Sequence, residues 1–498
     1  MKKFYTLFTL FATMLLLPAL AQAQVQTLTL TTAKSAGATL TFTVNRTPGD
    51  LLVDWGDGNF VAYTTTKEPL RDIAGTLAGK TVTVKGDNNL NTLICEGQEL
   101  TEVDFTNAPN LKSVYLSHNA LTALVVKPLG NNLLDLDCSH NALNSVAITV
   151  ANNPNLETLN VSNNTLGSIN GSTATTSYTG AFTKLQYLNI SGNGRIKQAS
   201  VSSCNELDYL DCSGNVMTKL ILPTNGRLTT LDAAGNKLTT LDVTPYTNLL
   251  QLDVTGNQLT TLDLNKTKVI KDLFAADNEL TSIGFATRAS RDTFNICDVR
   301  NNRVHFNGLP RSTSKVRYLN VMPQRPFPLT EEMGFKKGSV EVDGVTYTTK
   351  YVTQNPSYDT RTNTDYIVTL TPLRMDGNQS ANNVITFLDA STPDSTVLSQ
   401  YYARTKTGDY TINSQTNEYT FLSEVPHIVI RLTNTKYSKY TFYSEEFSIN
   451  EPSVTALETV ALDGTPRSAK AVYDLQGRKV ANPASGIYII GGRKVFIK

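Results

Sequence analysis

Leu249-Leu250-Gln251-Leu252-Asp253-Val254-Thr255-Gly256-Asn257-Gln258-Leu259 is the stretch that decides how this 498-residue chain folds. Apolar residues stand at its first, fourth, sixth and last places, and an Asn precedes the final pair. Segment 228–238 repeats the frame, ending in Asn236 and Leu238. With tolerated swaps the same frame sets its Asn at Asn119, Asn141, Asn164, Asn193, Asn215, Asn236, Asn257, Asn278 and Asn302. The intervals are 22, 23, 29, 22, 21, 21, 21 and 24 residues. Weaker frames flank these, with Gln98 in the Asn slot of 90–100 and Gln324 in that of 316–324. A period of this size marks a stack of similar coils, about eleven of them between Leu90 and Pro326.

Each slot has a physical reason. The short alternating run gives one strand per coil, sending its leucines inward and the residues between them outward. One coil cannot bury its apolar face alone, so neighbours stack into a continuous core. The Asn turns the chain out of the strand, its amide can satisfy backbone groups that the turn leaves unpaired, and stacked Asn side chains are expected to form a ladder along the array. The returns are too short for regular helices and are expected to be extended or 3₁₀-like. The 29-residue unit carries its extra residues as a Ser/Thr/Gly-rich bulge at about 171–180. Cys95, Cys138, Cys212 and Cys297 fall on inward slots and Cys204 on a return, where thiols act as small hydrophobes, a Cys204–Cys212 bridge being the alternative.

These units resemble leucine-rich repeat arrays of the short bacterial type, similar to internalin-like surface proteins. The resemblance covers nearly half of the chain. It implies a mainly β, curved solenoid that binds partners on its strand face.

Two outward columns follow from the frame. One reads Tyr115, Asp137, Asn160, Asn189, Asp211, Asp232, Asp253, Phe274, Asp298, Asn320; the other includes Asp135, Tyr187, Tyr209 and Asp272. Asp211, Asp232 and Asp253 would stack at about 4.8 Å spacing. Such like charges favour a cation, a basic partner or raised pKa values; alternatively these acids hydrogen-bond within the scaffold. The candidate binding residues are therefore Tyr115, Asp135, Asp137, Tyr187, Tyr209, Asp211, Asp232, Asp253, Asp272, Phe274 and Asp298. His118 and His140 hold equivalent slots in consecutive units and read as solvated edge residues. No catalytic triad, phosphate loop or isolated carboxylate pair is present, so no enzyme activity, cofactor or metal site is expected.

Outside the array, four further segments are read. Residues 1–23 join a basic start, Lys2-Lys3, to an apolar run and the small-x-small pattern Ala21-Gln22-Ala23, which predicts a cleaved signal peptide. Residues 24–89 alternate as short strands around Leu52-Val53-Asp54-Trp55-Gly56-Asp57-Gly58, which resembles the signature of PKD-like immunoglobulin-fold modules. Trp55 is the expected core residue, Asp57 the expected turn former, and the module the expected cover for the open end of the repeat core. Residues 327–450 lose the period and read as a β-sandwich. Segment 451–498 is a linker followed by strands around Val472-Tyr473-Asp474-Leu475-Gln476-Gly477-Arg478, then Gly486-Ile487-Tyr488, then a basic end with Lys494. That order resembles the C-terminal sorting domain of type IX secretion cargo in Bacteroidota. The resemblance assigns sorting to Val472, Tyr473, Asp474, Gly477, Arg478, Gly486, Ile487, Tyr488 and Lys494. It implies transit through the type IX secretion machinery, removal of this domain, and anchoring on the cell surface or release.

Charge agrees with an exported binding protein. Forty-four Lys and Arg against 43 Asp and Glu leave a formal charge of +1, no bulk case for nucleic acid or anionic membranes. After the signal segment no apolar run is long enough to span a bilayer as a helix. The expected function is adhesion to a protein or glycan on a host or neighbouring cell. A surface hydrolase with its site in 327–450, or a matrix spacer, are the alternatives.

Overall fold

In the computed structural model, each repeat contributes one short strand, and eleven such rungs pair in parallel from Thr92–Ile94 to Val316–Asn320. The structure describes residues 25–45, 49–65, 70–86, 90–126, 132–147, 153–167, 182–286, 294–310 and 316–329. Beyond these it describes 335–336, 339–342, 345–348, 352–353, 366–369, 383–390, 396–398, 409–413, 418–421, 425–435, 437–449, 472–473, 479–480, 486–490 and 493–497. Residues 1–23 and the insertion at 171–180 lie outside them. One compact unit ends at Arg325 and a second begins at Pro326.

Within a typical rung the middle residue is buried and its two neighbours are half-exposed, as in Ser113–Tyr115 and Tyr209–Asp211. Val114, Leu136, Leu159, Leu188, Leu210, Leu231, Leu252 and Leu273 thus form one dry internal column, each fully buried. Burial of such a side chain contributes about 1.5–3 kcal/mol, which only stacking of the coils makes possible.

The Asn slots tie the rungs together. Asn257 Nδ2 donates to Val254 O of its own turn at 3.0 Å and to Ala233 O of the preceding rung at 2.9 Å. Its Oδ1 accepts the Leu238 N–H of the preceding coil at 3.0 Å. Asn119, Asn141, Asn164, Asn193, Asn236, Asn278 and Asn302 repeat both halves of this bridge. The amides do not bond one another; each links two coils through backbone. Asn215 donates to Ile190 O at 3.0 Å, but its buried Oδ1 has no partner. Gln324 fills the slot at the far end, reaching Val299 O at 2.7 Å and receiving the Val304 N–H at 3.2 Å. Gln98 does not. Its side chain turns to Lys34 Nζ at 2.8 Å and the Thr41 N–H at 3.1 Å.

Those contacts of Gln98 belong to the N-terminal module. Its strands are β1 (Gln26–Thr32), β2 (Thr39–Asn45), β3 (Gly49–Asp54), β4 (Phe60–Thr65), β5 (Leu70–Thr76) and β6 (Thr81–Gly86), followed by the first rung β7 (Thr92–Ile94) and the first return β8 (Leu100–Asn107). β2 pairs antiparallel with β7, matching Val44 with Leu93, so the long sheet continues into the module and ends on β5. β1 lies between β6 and β8 in the second sheet. The cover over the repeat core is therefore made by pairing on both sheets.

Trp55 is buried among these strands and its Nε1 donates to Tyr63 Oη at 3.2 Å. The turn that follows uses Asp54 as well as the expected Asp57. Asp54 Oδ1 collects the N–H groups of Gly56, Asp57 and Gly58 at 2.8, 3.1 and 3.0 Å, so Asp54 holds the turn. Asp57 closes a smaller turn of its own, accepting the Asn59 N–H at 2.9 Å. Gly75 faces the indole so closely that a Cβ there would lie 2.1 Å from a ring carbon.

On the return side, parallel pairs form between Ala123–Val125 and Ser145–Ala147, Gln198–Ser200 and Lys219–Ile221, and Thr261–Leu264 and Ser282–Phe285. A single 3₁₀ turn, Phe306–Gly308, is described in the array. All five cysteines are buried and none forms a disulfide. Burial pushes Cys95 up to about 12 and Cys204 to about 11, so both stay thiols at neutral pH.

In the second unit, Asn383–Asp389 pairs with Val425–Asn434, and Thr441–Tyr443 and Phe447–Ile449 pair with the latter. Tyr366–Thr369, Glu418–Phe421 and Tyr410–Asn413 form another sheet. Phe387 of the first meets Tyr410 of the second edge-to-face at 5.3 Å, which is how two sheet layers bury their inner faces. At the C-terminus Val472–Tyr473 pairs with Lys479–Val480 and with Gly486–Ile490, which pairs with Arg493–Ile497. Val472, Tyr473, Gly486, Ile487, Tyr488 and Lys494 thus lie on paired strands. Asp474, Gly477 and Arg478 fall outside the described residues. No helix among the described residues is long and apolar enough to cross a membrane.

Candidate binding face

The rung register brings the candidate residues into two columns. Asp135, Thr158, Tyr187, Tyr209, Thr230, Gln251 and Asp272 follow one another across adjacent strands. Beside them run Tyr115, Asp137, Asn160, Asn189, Asp211, Asp232, Asp253, Phe274 and Asp298.

The second column has a local task. Each Asp or Asn there ends its strand by accepting the N–H two residues on: Asp137 from Ser139 at 2.8 Å, Asp211 from Ser213 at 3.0 Å, Asp232 from Ala234 at 3.0 Å, Asp253 from Thr255 at 2.9 Å. What remains for a partner is the second carboxylate oxygen, and here the acids diverge. Asp137 accepts Asn160 Nδ2 on it at 2.8 Å; in the other column Asp135 accepts the Ser113 hydroxyl on Oδ2 at 2.9 Å. Asp298 is buried and bound by Arg300 at 2.7 Å and Asn320 at 3.2 Å. Burial would raise its pKa, but the Arg300 guanidinium outweighs that and holds it below the usual carboxylate value. Asp211, Asp232 and Asp253 keep Oδ2 free of hydrogen bonds and ion pairs among the described residues.

Asp232 shows the consequence. Partial burial, with Asp211 and Asp253 on either side, pushes its carboxyl up to about 6 despite the opposing Ala234 N–H. Tyr187 and Tyr209 stack with ring centroids 4.5 Å apart and planes 7° from parallel. Burial, then the charge of Asp211, pushes the Tyr209 phenol up to about 12. Burial, reinforced by Asp135, raises Tyr115 as well.

One column escaped the frame. Gly97, His118, His140, Asn163, Gly192, Gly214, Gly235, Gly256, Asp277 and Asn301 all have φ between 51° and 68°. They sit one place before the ladder residue, where the chain leaves the strand in left-handed geometry. Gly, Asn, Asp and His are the residues that tolerate it, and that composition is the signal that could have revealed the column. It also explains why His118 and His140 stack, centroids 4.3 Å apart, at the exposed edge of the face. Among the described residues no group of three or more His, Cys, Asp or Glu could hold a metal ion.

No protein-family model and no curated protein sequence matches the chain. Solved structures similar to it are leucine-rich repeat proteins. One from Leptospira interrogans is 18% identical, with 49% of this chain and 74% of that one covered and a TM-score of 0.34. YopM, an effector from Yersinia pestis, is 22% identical over 45% and 58% of the chains, TM-score 0.33. The functional domain of InlJ from Listeria monocytogenes is 18% identical over 71% and 90%, TM-score 0.28. The fold class stands on the coils of this chain itself: a mainly β leucine-rich repeat solenoid.

Proposed function

We propose that this protein is exported by a type IX route and displayed on the cell surface, where its concave sheet face attaches to a protein or glycan of a host or neighbouring cell. The reading of export rests on the N-terminal apolar segment and on the ordered C-terminal motifs. Recognition rests on one observation above all: Asp211, Asp232 and Asp253 stand half-exposed in one column with an unused oxygen each, beside two stacked tyrosines. Charges held this close together cost stability, so their presence favours a face kept for a partner.

A triple variant, Tyr187→Ser, Tyr209→Ser and Asp211→Asn, tests recognition. Asn keeps the bond to the Ser213 N–H, so the coil should fold. Cells displaying the variant should lose adhesion; unchanged adhesion would make the array a spacer. Deleting residues 486–498 should leave the protein inside the cell envelope, whereas normal surface display would exclude the sorting role.

A further inference from the structure

The outward strand face of the array is acidic in a chain that is not. Its two outward columns carry seven carboxylates and no basic side chain across the register from Ser113 to Asn320, while the whole chain stands at +1. Two of the seven have both oxygens engaged, Asp137 by Ser139 and Asn160 and Asp298 by Arg300 and Asn320, and Asp135 accepts the Ser113 hydroxyl on one. The other four, Asp211, Asp232, Asp253 and Asp272, sit on four consecutive rungs, and no ion pair among the described residues engages them. The adjoining outward positions on these rungs add Asp208 and Lys271, which cancel. The run is about 14 Å end to end with rungs about 4.8 Å apart, so charges on neighbouring rungs lie within the Debye length of about 8 Å at physiological salt. The tyrosine stack closes one end of this run. One face of Tyr209 is taken by Tyr187; the other is turned along the column toward Thr230, a short side chain on the next rung.

We propose that the face from Tyr187 to Phe274 docks an extended, arginine- and lysine-rich protein segment, with one guanidinium lying over Thr230 against the free face of Tyr209 and between Asp211 and Asp232. The segment's further basic side chains reach Asp253 and Asp272. This deepens the recognition reading above and rests on it. Charge complementarity selects the partner, and the flat ring beside paired carboxylates selects a planar cation on a peptide over a small polyamine. An extended chain repeats its side-chain direction about every 6.7 Å, so four rungs take two or three basic residues on long, adaptable stems.

The probe is a fluorescent decapeptide of alternating Arg and Thr, titrated against the full chain and read by anisotropy. It should bind, weaken as salt rises, and outlast competition by spermine at equal charge. Asp232→Asn with Asp253→Asn, and separately Tyr209→Ser, should each weaken it by more than about tenfold. The control Glu102→Gln, Asp242→Asn, Asp263→Asn, which removes the same sign of charge from the return side, should change it less than twofold. Equal binding of a Glu-Thr decapeptide, equal loss in the control, or an unaffected Tyr209→Ser would each overturn the proposal. Displacement by spermine at equal charge would assign the face to polyamines and overturn it too. If the Tyr187/Tyr209/Asp211 variant loses adhesion while the Arg-Thr peptide neither binds nor competes, the cationic partner is wrong and the recognition face stands.

Discussion

Asp232 carries two demands at once: one oxygen closes its own turn, and the other faces two neighbouring carboxylates. Folding raises its pKa from the ordinary 3.8 to about 6, so the folded chain binds that proton more tightly than the unfolded one. The stabilisation from the protonated form is complete below about pH 4 and is lost as pH climbs through about 6. Asp232→Asn, which keeps the bond to Ala234, should therefore raise stability at pH 7. The gain is on the order of 1 kcal/mol once solvent screening of this half-open site is allowed for. Thermal melts from pH 4 to 7 should show the variant losing the dependence that the parent has. Asn257→Leu works in the opposite direction. It strands the Leu238 N–H and two carbonyls, and should cost about 1–3 kcal/mol in chemical denaturation. The Asn slots were legible because a fixed interval exposes them. The use of one oxygen of each column Asp was not, because it depends on where the N–H two residues later points. Nor was the left-handed column, where Gly, His, Asn and Asp share a conformation and no apolar period.

The module strands show what periodicity can and cannot reach. Alternation in Thr39–Asn45 and Thr81–Gly86 marks strands, since inward and outward faces must differ. It says nothing of partners, and the pairing of Val44 with Leu93 joins residues far apart in the chain, chosen by the exposed edge of the first rung. Trp55 was legible as a core residue from the strand-into-turn signature around it, whereas Asp54 and Asp57 both suit a turn and only the geometry separates them. Gly75 was invisible: its need for a bare Cα comes from the indole across the module. Gly75→Ala should cost upwards of about 2 kcal/mol through overpacking. A comparable loss in Gly58→Ala, where nothing lies within 4 Å of the added carbon and only the positive φ objects, would argue that backbone freedom and not indole packing sets the requirement.

Across the first unit, each coil leans on the next through a leucine column and an Asn bridge, so the stack is a chain of nearest-neighbour couplings. That arrangement leaves one face of the long sheet to carry side chains the fold does not need. The internal column, the bridges and the turn acids account for most of what the repeat dictates. The tyrosine stack and the free oxygens of Asp211, Asp232 and Asp253 are left over, and on these the binding account depends. Carboxyl and tyrosine footprinting of the full chain, free and then attached to cells that it adheres to, tests this most directly. Protection centred on Tyr187, Tyr209, Asp211, Asp232 and Asp253, with Asp242 and Asp263 on the return side still labelled, is the predicted pattern. Protection of the returns or of the second unit, with the two columns as reactive as in the free protein, would contradict it.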